Sequence, residues 1–297
     1  MTLKGWAGML QTAPIWSTQG PWGGRTIEVV TDHGPTLDQI RVALTGESPG
    51  LAAQRKRFRH LPSDPRCKLC MVPFRGLGAV AMKHMGYGQS PGNPSMCSKC
   101  ISAMRARGVT GLEIPVTLVF SDVRGSTSLG ERMRPTEFRE FLGHFYGLAT
   151  HAILEHDGII DKMVGDEVIG LFFGGISGPE HTAAGIAAGM DLAERAVRAD
   201  ATPMGPIPVG TGVHTGDAFV GATSLGGAVE DFTALGDTVN TTARLAASAA
   251  AGEVLISMAA AETAGRSSEG LERRSLTIRG RSQPVEVVVE RAGVAAA

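Results

Sequence analysis

Two short predicted strands, Ile159–Val164 and Glu167–Phe173, constrain the fold most, because only Gly165-Asp166 separates them. A connection this short that contains glycine is typical of a tight β-hairpin. Residues 116–121 (VTLVFS) form a nearly continuous apolar run, which predicts a central strand covered on both faces. The three stretches together predict a sheet that contains a hairpin and a buried strand.

Helical and strand patterns follow one another through the rest of this region. Pro135 is suited to open a helix, and apolar residues recur at helical spacing as far as Ile153, before Asp157-Gly158 ends the helix. We predict an alanine-rich helix at 179–198 and another at 237–250. The further predicted strands are 207–214, 218–222, 253–257, 271–278 and 284–290. The order β-α-β-β-α-β predicts an α+β fold, an α/β sandwich with a ferredoxin-like core and extra elements after it.

Charge is distributed unevenly along the chain. Between residues 51 and 110 there are eleven Lys or Arg and one acid, a net charge of +10, whereas the remainder carries −11. This asymmetry predicts two units, a basic and loop-rich module at 51–108 and a larger domain at 112–293. Residues 1–50 are rich in Gly, Pro, Thr and Trp and predict a poorly ordered lead-in with a weak helix at 36–44.

The four cysteines of the chain all lie in the basic module, as Cys67-x₂-Cys70 and Cys97-x₂-Cys100. Two such pairs are typical of a four-thiolate metal site, and Zn²⁺ is its commonest occupant. A single iron or an iron–sulfur cluster is the alternative. Two disulfides are disfavoured, because the N-terminal sequence lacks a secretory signal.

The basic charge and the hydropathy bear on partners and location. A basic surface can bind nucleic acid or anionic lipid, or it can dock on the acidic remainder of the chain; we favour docking over nucleic-acid binding. No apolar run approaches the ~18–20 residues that a membrane-spanning helix needs. The sequence therefore predicts a cytoplasmic protein with reduced cysteines and no membrane span.

Two aspartates stand at positions that the predicted sheet brings together. Asp122 follows the first strand, and Asp166 lies in the hairpin turn. Each alone also fits an ordinary turn residue. As a pair of hard oxygen ligands they suit Mg²⁺ or Mn²⁺, and two such ions can activate a hydroxyl nucleophile and stabilise a leaving oxygen.

Five motifs resemble class III adenylyl and guanylyl cyclases. In order they are VTLVFSDVRGST, KMVGDEVIGLF, VGTGVHTGDAFVG, DFTALGDTVNTTARLAA and IRGRSQPVEVV, and the resemblance covers about residues 112–292. The resemblance implies conversion of ATP to 3′,5′-cyclic AMP and pyrophosphate, with two Mg²⁺ or Mn²⁺ ions per site held by Asp122 and Asp166. It also implies that Asn240 orients the ribose and that Arg244 contacts the α-phosphate in the transition state.

The resemblance also assigns positions that contact the base and the triphosphate. Lys162 would contact the base, and a lysine donor favours adenine, whose N1 accepts a hydrogen bond, over guanine, whose N1 carries a proton. Thr233 would accept from the adenine amino group, although a hydroxyl can also donate. The predicted triphosphate contacts are the backbone N–H groups at Val123, Gly125, Ser126 and Thr127, with Arg279 as a weaker candidate.

This chain departs from the family pattern at two positions. Ser126 stands where an aromatic residue is common, and Asp217 stands where one animal cyclase half has a phosphate-contacting arginine. In the family, the metal-binding residues come from one chain, and the base-contacting and transition-state residues come from the other, which implies a homodimer with two composite sites. The alternatives are a guanylate cyclase, which Lys162 disfavours, a catalytically inactive cyclase-like domain, and a nucleic-acid-binding zinc protein.

Overall fold

The computed structural model describes residues 49–59, 65–67, 69–90, 93–105, 111–199, 205–225, 229–278, 281 and 283–293, together with residues 42 and 45. The predicted lead-in at 1–50, with its weak helix at 36–44, lies almost entirely outside the described residues. Arg279, the weaker candidate for a phosphate contact, lies outside them as well.

An eight-stranded sheet forms the centre of the protein. Its strands are β3 (Gly111–Val123), β4 (Ile159–Val164), β5 (Glu167–Phe173), β6 (Val209–Leu225), β7 (Val229–Leu235), β8 (Glu253–Ser257), β9 (Glu272–Leu276) and β10 (Val285–Arg291). They are ordered β4-β5-β3-β6-β8-β10-β9, and β7 pairs with β6 outside this path. Only β6 and β8 are parallel among the described pairs.

The helices of the larger domain cover both faces of this sheet: Pro135–Glu155, His181–Val197 and Met258–Thr263 join one apolar cluster, and Asp237–Ser248 joins the cluster of the other face. The helices are α4 (Ser126–Arg132), α5 (Pro135–Glu155), α6 (Gly174–Ser177), α7 (His181–Val197), α8 (Asp237–Ser248) and α9 (Met258–Thr263). Helix α5 begins with Pro135 and buries Phe141 and Phe145, which join α7 and strand residues such as Val119 in one apolar cluster. The order β3-α5-β4-β5-α7-β6 confirms the predicted ferredoxin-like α+β core.

Three details of the prediction are wrong. The predicted strands 207–214 and 218–222 form one strand, because Thr215 lies within the ladder to β3, where it is buried and donates a hydrogen bond to the carbonyl of Val116 at 2.9 Å. Strand β7 was not predicted, because its sequence VEDFTAL lacks a clear alternation and depends on pairing with β6. Helix α9 was also missed, since it has only 6 residues.

The basic module has more regular structure than its loop-rich composition predicts. It contains α1 (Pro49–Arg59), α2 (Gly76–His84), β1 (Gln89–Ser90), β2 (Asn93–Cys97) and α3 (Ser98–Arg105). Strands β1 and β2 pair as a small antiparallel ladder. Among the described residues, no helix is long and apolar enough to cross a lipid bilayer.

Candidate active site

The two predicted metal-binding aspartates lie together at one end of the sheet. Asp122 is near the end of β3 and pairs in register with Glu167, the first residue of β5. Asp166 lies in the β4–β5 turn, and its carbonyl accepts a hydrogen bond from the N–H of Val123 at 3.1 Å. The turn needs Gly165, whose φ of 60° is left-handed. The hairpin and the β3 ladder therefore fix both carboxyl groups at one place.

The proximity of the two acids changes their ionisation in opposite directions. Partial burial, a hydrogen bond to Asp166 and the charge of that neighbour raise the pKa of Asp122 to about 6. Burial acts in the same direction on Asp166, but hydrogen bonds from Ser126 and Asp122 lower its pKa below the usual value. A bound divalent cation would relieve this repulsion, and its preferred ligands are carboxylate oxygens of this kind. The residues present therefore fit the predicted Mg²⁺ or Mn²⁺.

Two neighbours of the aspartates contact them directly. The guanidinium of Arg124 forms an ion pair with Asp122, and its Nη1 also donates to the carbonyl of Ala247 in α8 at 3.1 Å. The hydroxyl of Ser126 donates to Oδ2 of Asp166. The sequence identified Ser126 as a departure from an aromatic residue and as a backbone contact for the triphosphate, but it gave no signal for the side-chain contacts of Ser126 and Arg124 with the aspartates.

Lys162, a predicted base-contacting residue, lies on the same face of the sheet as the predicted metal-binding pair. Phe120 pairs in register with Ile169, and Asp122, two residues further along β3, shares the face of Phe120. Lys162 is half-buried on β4 and also lies opposite Ile169. Phe120 and Ile169 belong to an apolar cluster separate from the one that packs on α5 and α7. The predicted metal positions and Lys162 thus share one face.

Thr233 lies in β7 and is only 3 % exposed. Its hydroxyl donates to Oδ2 of Asp161 at 2.9 Å, which joins β7 to β4 although the two strands are not neighbours in the sheet. Asp161 directly precedes Lys162. Sequence reasoning did not single out Asp161, because its contact depends on β7 lying across the sheet toward β4.

Asn240 and Arg244 are exposed on helix α8. The helix approaches β6 closely, because a Cβ at Gly212 would come within 2.4 Å of the backbone N of Ala246. Its first turn is held by Arg281, whose Nη1 donates to Thr241 at 2.7 Å and lies 3.1 Å from Oδ2 of Asp237. The helix is therefore fixed, while its two predicted catalytic side chains face outward.

The predicted phosphate-contacting segment leads into α4. The N–H of Val123 already donates to the carbonyl of Asp166, so it is not available to a phosphate in this arrangement. Gly125 has a φ of 71° and precedes the helix, which begins at Ser126. The backbone contacts of Gly125, Ser126 and Thr127 with a triphosphate remain predictions, and Asp217 is exposed.

The four cysteines form a second candidate site. The Sγ atoms of Cys67, Cys70, Cys97 and Cys100 all lie within 4.8 Å of one another. The Sγ atoms of Cys70 and Cys97 are 3.7 Å apart, and the backbone N of Cys97 donates to Sγ of Cys67 at 3.3 Å. Four thiolates around one Zn²⁺, with bonds of about 2.3 Å, are separated by about 3.8 Å. The cluster therefore has the size of a single-ion site.

Ionisation within the cysteine cluster is uneven. Burial opposes the charge on Cys67, but hydrogen bonds from the other three thiols lower its pKa well below the ordinary value. The pKa of Cys100 is raised, because hydrogen bonds with Cys67, Cys70 and Cys97 favour its neutral thiol and desolvation opposes its charge. One thiolate stabilised by neighbouring thiols is the arrangement expected of a metal site whose ligands lose protons as the metal binds.

The cysteine cluster is packed against the sheet. Cys67, Cys97 and Met96 are fully buried in the same apolar cluster as Val116 and Phe232. Strand β2, which ends at Cys97, contacts β7, the strand of Thr233. The basic module is thus joined to the base-contacting face of the sheet through buried apolar side chains.

Comparison with known proteins places this geometry in a family. Residues 113–291 match the adenylate and guanylate cyclase catalytic domain. An adenylate cyclase from Anabaena cylindrica is 32 % identical over 157 residues, which is 50 % of this chain and 31 % of that protein. The chain thus spans less than a third of the length of this relative.

Two solved structures resemble this chain over nearly their whole length. The guanylyl cyclase Cya2 is 27 % identical with a TM-score of 0.56, over 62 % of this chain and 95 % of that one. The adenylyl cyclase CyaB from P. aeruginosa is 26 % identical with a TM-score of 0.53, over 62 % and 97 %. The fold and the five ordered motifs define a class III nucleotide cyclase catalytic domain. This chain belongs to the adenylate and guanylate cyclase catalytic domain family.

Proposed function

We propose that this protein is an adenylate cyclase that converts ATP to 3′,5′-cyclic AMP and pyrophosphate at sites shared between two copies of the chain. The observation that carries the proposal is the contact between Asp122 and Asp166 on the face that also holds Lys162. In the reaction the ribose 3′-oxygen forms a bond to the α-phosphorus, pyrophosphate leaves, and the proton of the 3′-hydroxyl is released.

Each site residue has a distinct part in this reaction. Asp122 and Asp166 would hold two divalent ions, which supply charge stabilisation to the attacking and leaving oxygens when bound. Asn240 orients the ribose, and Arg244 stabilises the negative charge that develops on the α-phosphate oxygens. Positioning and electrostatics of this kind account for most of the catalysis of phosphoryl transfer.

Lys162 supports ATP as the substrate, because an ammonium donor matches N1 of adenine and meets a proton at N1 of guanine. The adenylate cyclase of Anabaena cylindrica is a relative in line with this choice. The guanylyl cyclase Cya2 is as similar in structure as the adenylyl cyclase CyaB. GTP is therefore the alternative substrate against which ATP has to be compared.

Exposed apolar side chains support a second copy as the partner. Met163 and Val164, at the end of β4, are 39 % and 60 % exposed, and Leu235 at the end of β7 is 48 % exposed. They flank Lys162 and Thr233 in the sequence. Side chains of this kind favour coverage by another protein surface. The outward-facing Asn240 and Arg244 would then complete the site of the partner.

The direct test is incubation of the purified protein with ATP or GTP and Mn²⁺, followed by chromatographic analysis of the products. We expect cyclic AMP as the main product and none from an Asp122→Ala variant. The matched control is Glu262→Ala, an exposed acid on α9, which should behave as the wild type. A folded dimer that yields no cyclic nucleotide would refute the proposal, and cyclic GMP as the main product would establish the alternative.

Mixing inactive variants tests the shared site. Asp122→Ala and Asn240→Ala proteins should each be inactive, because each lacks one component of both sites in its own dimer. After subunit exchange, a mixed dimer has one intact site and one that lacks both components, so partial activity should return. If mass spectrometry demonstrates subunit exchange and the mixture still has no cyclase activity, the composite site is contradicted.

For the module at 51–108 we propose one structural Zn²⁺ bound by Cys67, Cys70, Cys97 and Cys100. The short separations between the sulfur atoms support a single ion, because the atoms of an iron–sulfur cluster would hold four thiolates further apart. Since β2 contacts β7, metal binding in this module provides a physical route by which the domain at 112–293 would be regulated.

A further inference from the structure

The acidic side chain of Asp161 contacts Thr233, one of the two predicted base-contacting residues. The hydroxyl of Thr233 donates to Oδ2 of Asp161 at 2.9 Å, and it lies 3.4 Å from the carbonyl of Ala234. A hydroxyl has one proton, and the shorter contact to a charged carboxylate is the stronger of the two. The proton of Thr233 therefore points to Asp161.

This contact determines what Thr233 can offer to a nucleotide. A hydroxyl whose proton is engaged retains only lone pairs, so it can accept a hydrogen bond but cannot donate a second one. Adenine presents an amino donor beside N1, whereas guanine presents a carbonyl acceptor at the same position. Thr233 held in this way matches adenine and leaves the carbonyl of guanine without a donor.

A β-bulge explains why Asp161 and Lys162 both reach this face. Ile160 pairs with Gly170 and Lys162 pairs with Ile169, so Asp161 is an extra residue on β4. In a regular strand, consecutive side chains point to opposite faces, but at a bulge two residues lie opposite one. Asp161 can therefore hold Thr233 while Lys162 remains on the same face as a donor.

We propose that Asp161 is a positioning residue that sets the preference for ATP over GTP by orienting the hydroxyl of Thr233. This inference rests on the proposed function and deepens it. Lys162 as the donor and Thr233 as an obligate acceptor together form the complement of the adenine edge. Asp161 itself acts only through Thr233.

The test measures kcat/KM with ATP and with GTP for wild type, Asp161→Ala and Asp161→Asn. Loss of one hydrogen bond to a charged group is worth about a factor of ten, so the ATP-to-GTP ratio of Asp161→Ala should fall about tenfold. Asn keeps an acceptor oxygen for Thr233, so its ratio should stay within about threefold of wild type. Glu262→Ala serves as the control, and an Asp161→Ala ratio equal to that of wild type overturns the inference.

A second experiment, in a protein that already carries Thr233→Val, distinguishes orientation of the Thr233 hydroxyl from a general structural effect of Asp161→Ala. Thr233→Val removes the hydroxyl, so adding Asp161→Ala to it should leave the ATP-to-GTP ratio unchanged. An equal tenfold fall in both backgrounds would show that Asp161 does not act through Thr233. Melting temperatures of all variants identify any that fail to fold. If Asp161→Ala does not fold, Asp161→Asn still tests the charge of the side chain, because it retains its size.

The inference and the proposed function fail in different ways. Absence of any cyclic nucleotide from the wild-type dimer would refute the cyclase activity. The ratio of dissociation constants for non-cyclisable analogues of ATP and GTP then still tests Asp161, because it needs no turnover. If the ratio of the two dissociation constants is unchanged in Asp161→Ala, the inference about Asp161 is overturned. Formation of cyclic AMP by the wild type would still support the proposed function in that case.

Discussion

At the scale of single residues, the proposed metal-binding pair is contacted by neighbours whose roles the motifs do not reveal. The positions of Asp122 and Asp166 follow from the sequence, because a strand end and a hairpin turn meet in an antiparallel sheet. Their chemistry depends on Ser126 and Arg124, which contact them through side chains whose direction is set by the start of α4. Sequence periodicity places a residue on an element but does not give this direction.

Ser126→Ala should weaken metal binding while leaving the fold intact. The hydroxyl of Ser126 donates to Asp166 and lowers the pKa of that carboxyl, so its loss makes Asp166 a less favourable ligand in orientation and charge. Loss of an outer hydrogen bond to a metal ligand typically costs tenfold or more in affinity, and we expect about tenfold for Mn²⁺, measured by electron paramagnetic resonance. Ser128→Ala, an exposed serine of the same helix, is the control. Equal affinities of the two variants would contradict the role of Ser126.

At the scale of elements, long periodic segments were predictable and context-dependent ones were not. Helix α5 and the β4–β5 hairpin are specified locally, by Pro135, by the spacing of the apolar residues and by Gly165. Strand β6 was divided at Thr215 to Asp217 in the prediction, since small and polar residues there resemble a turn. They form a strand because the ladder with β3 pairs their backbone groups and because the hydroxyl of Thr215 accepts a buried hydrogen bond from Thr117. Such tertiary partners cannot be read from local sequence.

Glu253, the first residue of β8, makes the C-terminal strands sensitive to acid. Hydrogen bonds from Arg274 on β9, together with Arg291 on β10, lower the pKa of Glu253 to about 2 although it is only 7 % exposed. Because the pKa in the unfolded chain is about 4.3, the stabilisation is complete above that pH and is lost as the pH falls towards 2.

Glu253→Gln should therefore lower the free energy of unfolding by about 2 kcal/mol at pH 7, and by less as the pH approaches 2. Urea unfolding at a series of pH values measures this difference. Glu262→Gln, which replaces an exposed acid, should show no such trend. A difference that stays constant across the pH series would show that the charge of Glu253 is not what links the strands.

At the scale of the whole molecule, the charge asymmetry and the packing lead to different pictures of the basic module. Composition separates residues 51–108 from the rest, and that division stays a proposal. The buried side chains of Cys67, Met96 and Cys97 nevertheless share a cluster with the sheet. Composition could not show this contact, because it depends on which few side chains of the module are apolar and where the cysteine cluster places them.

Cys97→Ser should remove zinc and destabilise the whole chain. The purified wild type should contain about one zinc per chain by elemental analysis, and the variant close to none. Since the cysteines share a core with the sheet, we expect a single thermal transition lowered by about 10 °C. Lys83→Ala, an exposed change in α2, should keep both the zinc and the melting temperature. Two separate transitions would show that the module does not unfold together with the sheet.

The extra residue in β4 has a consequence for how nucleotide choice can change. With Asp161 and Lys162 on one face, the proposed selectivity for ATP would depend on the oriented hydroxyl of Thr233 as well as on the ammonium group of Lys162. Replacement of Lys162 alone would leave the hydroxyl of Thr233 oriented for adenine, and replacement of Thr233 alone would remove the hydroxyl that donates to the half-buried carboxylate of Asp161. We therefore expect that a change of specificity from ATP to GTP requires substitutions on both β4 and β7. A protein with only one of them would have side chains that match neither nucleotide fully.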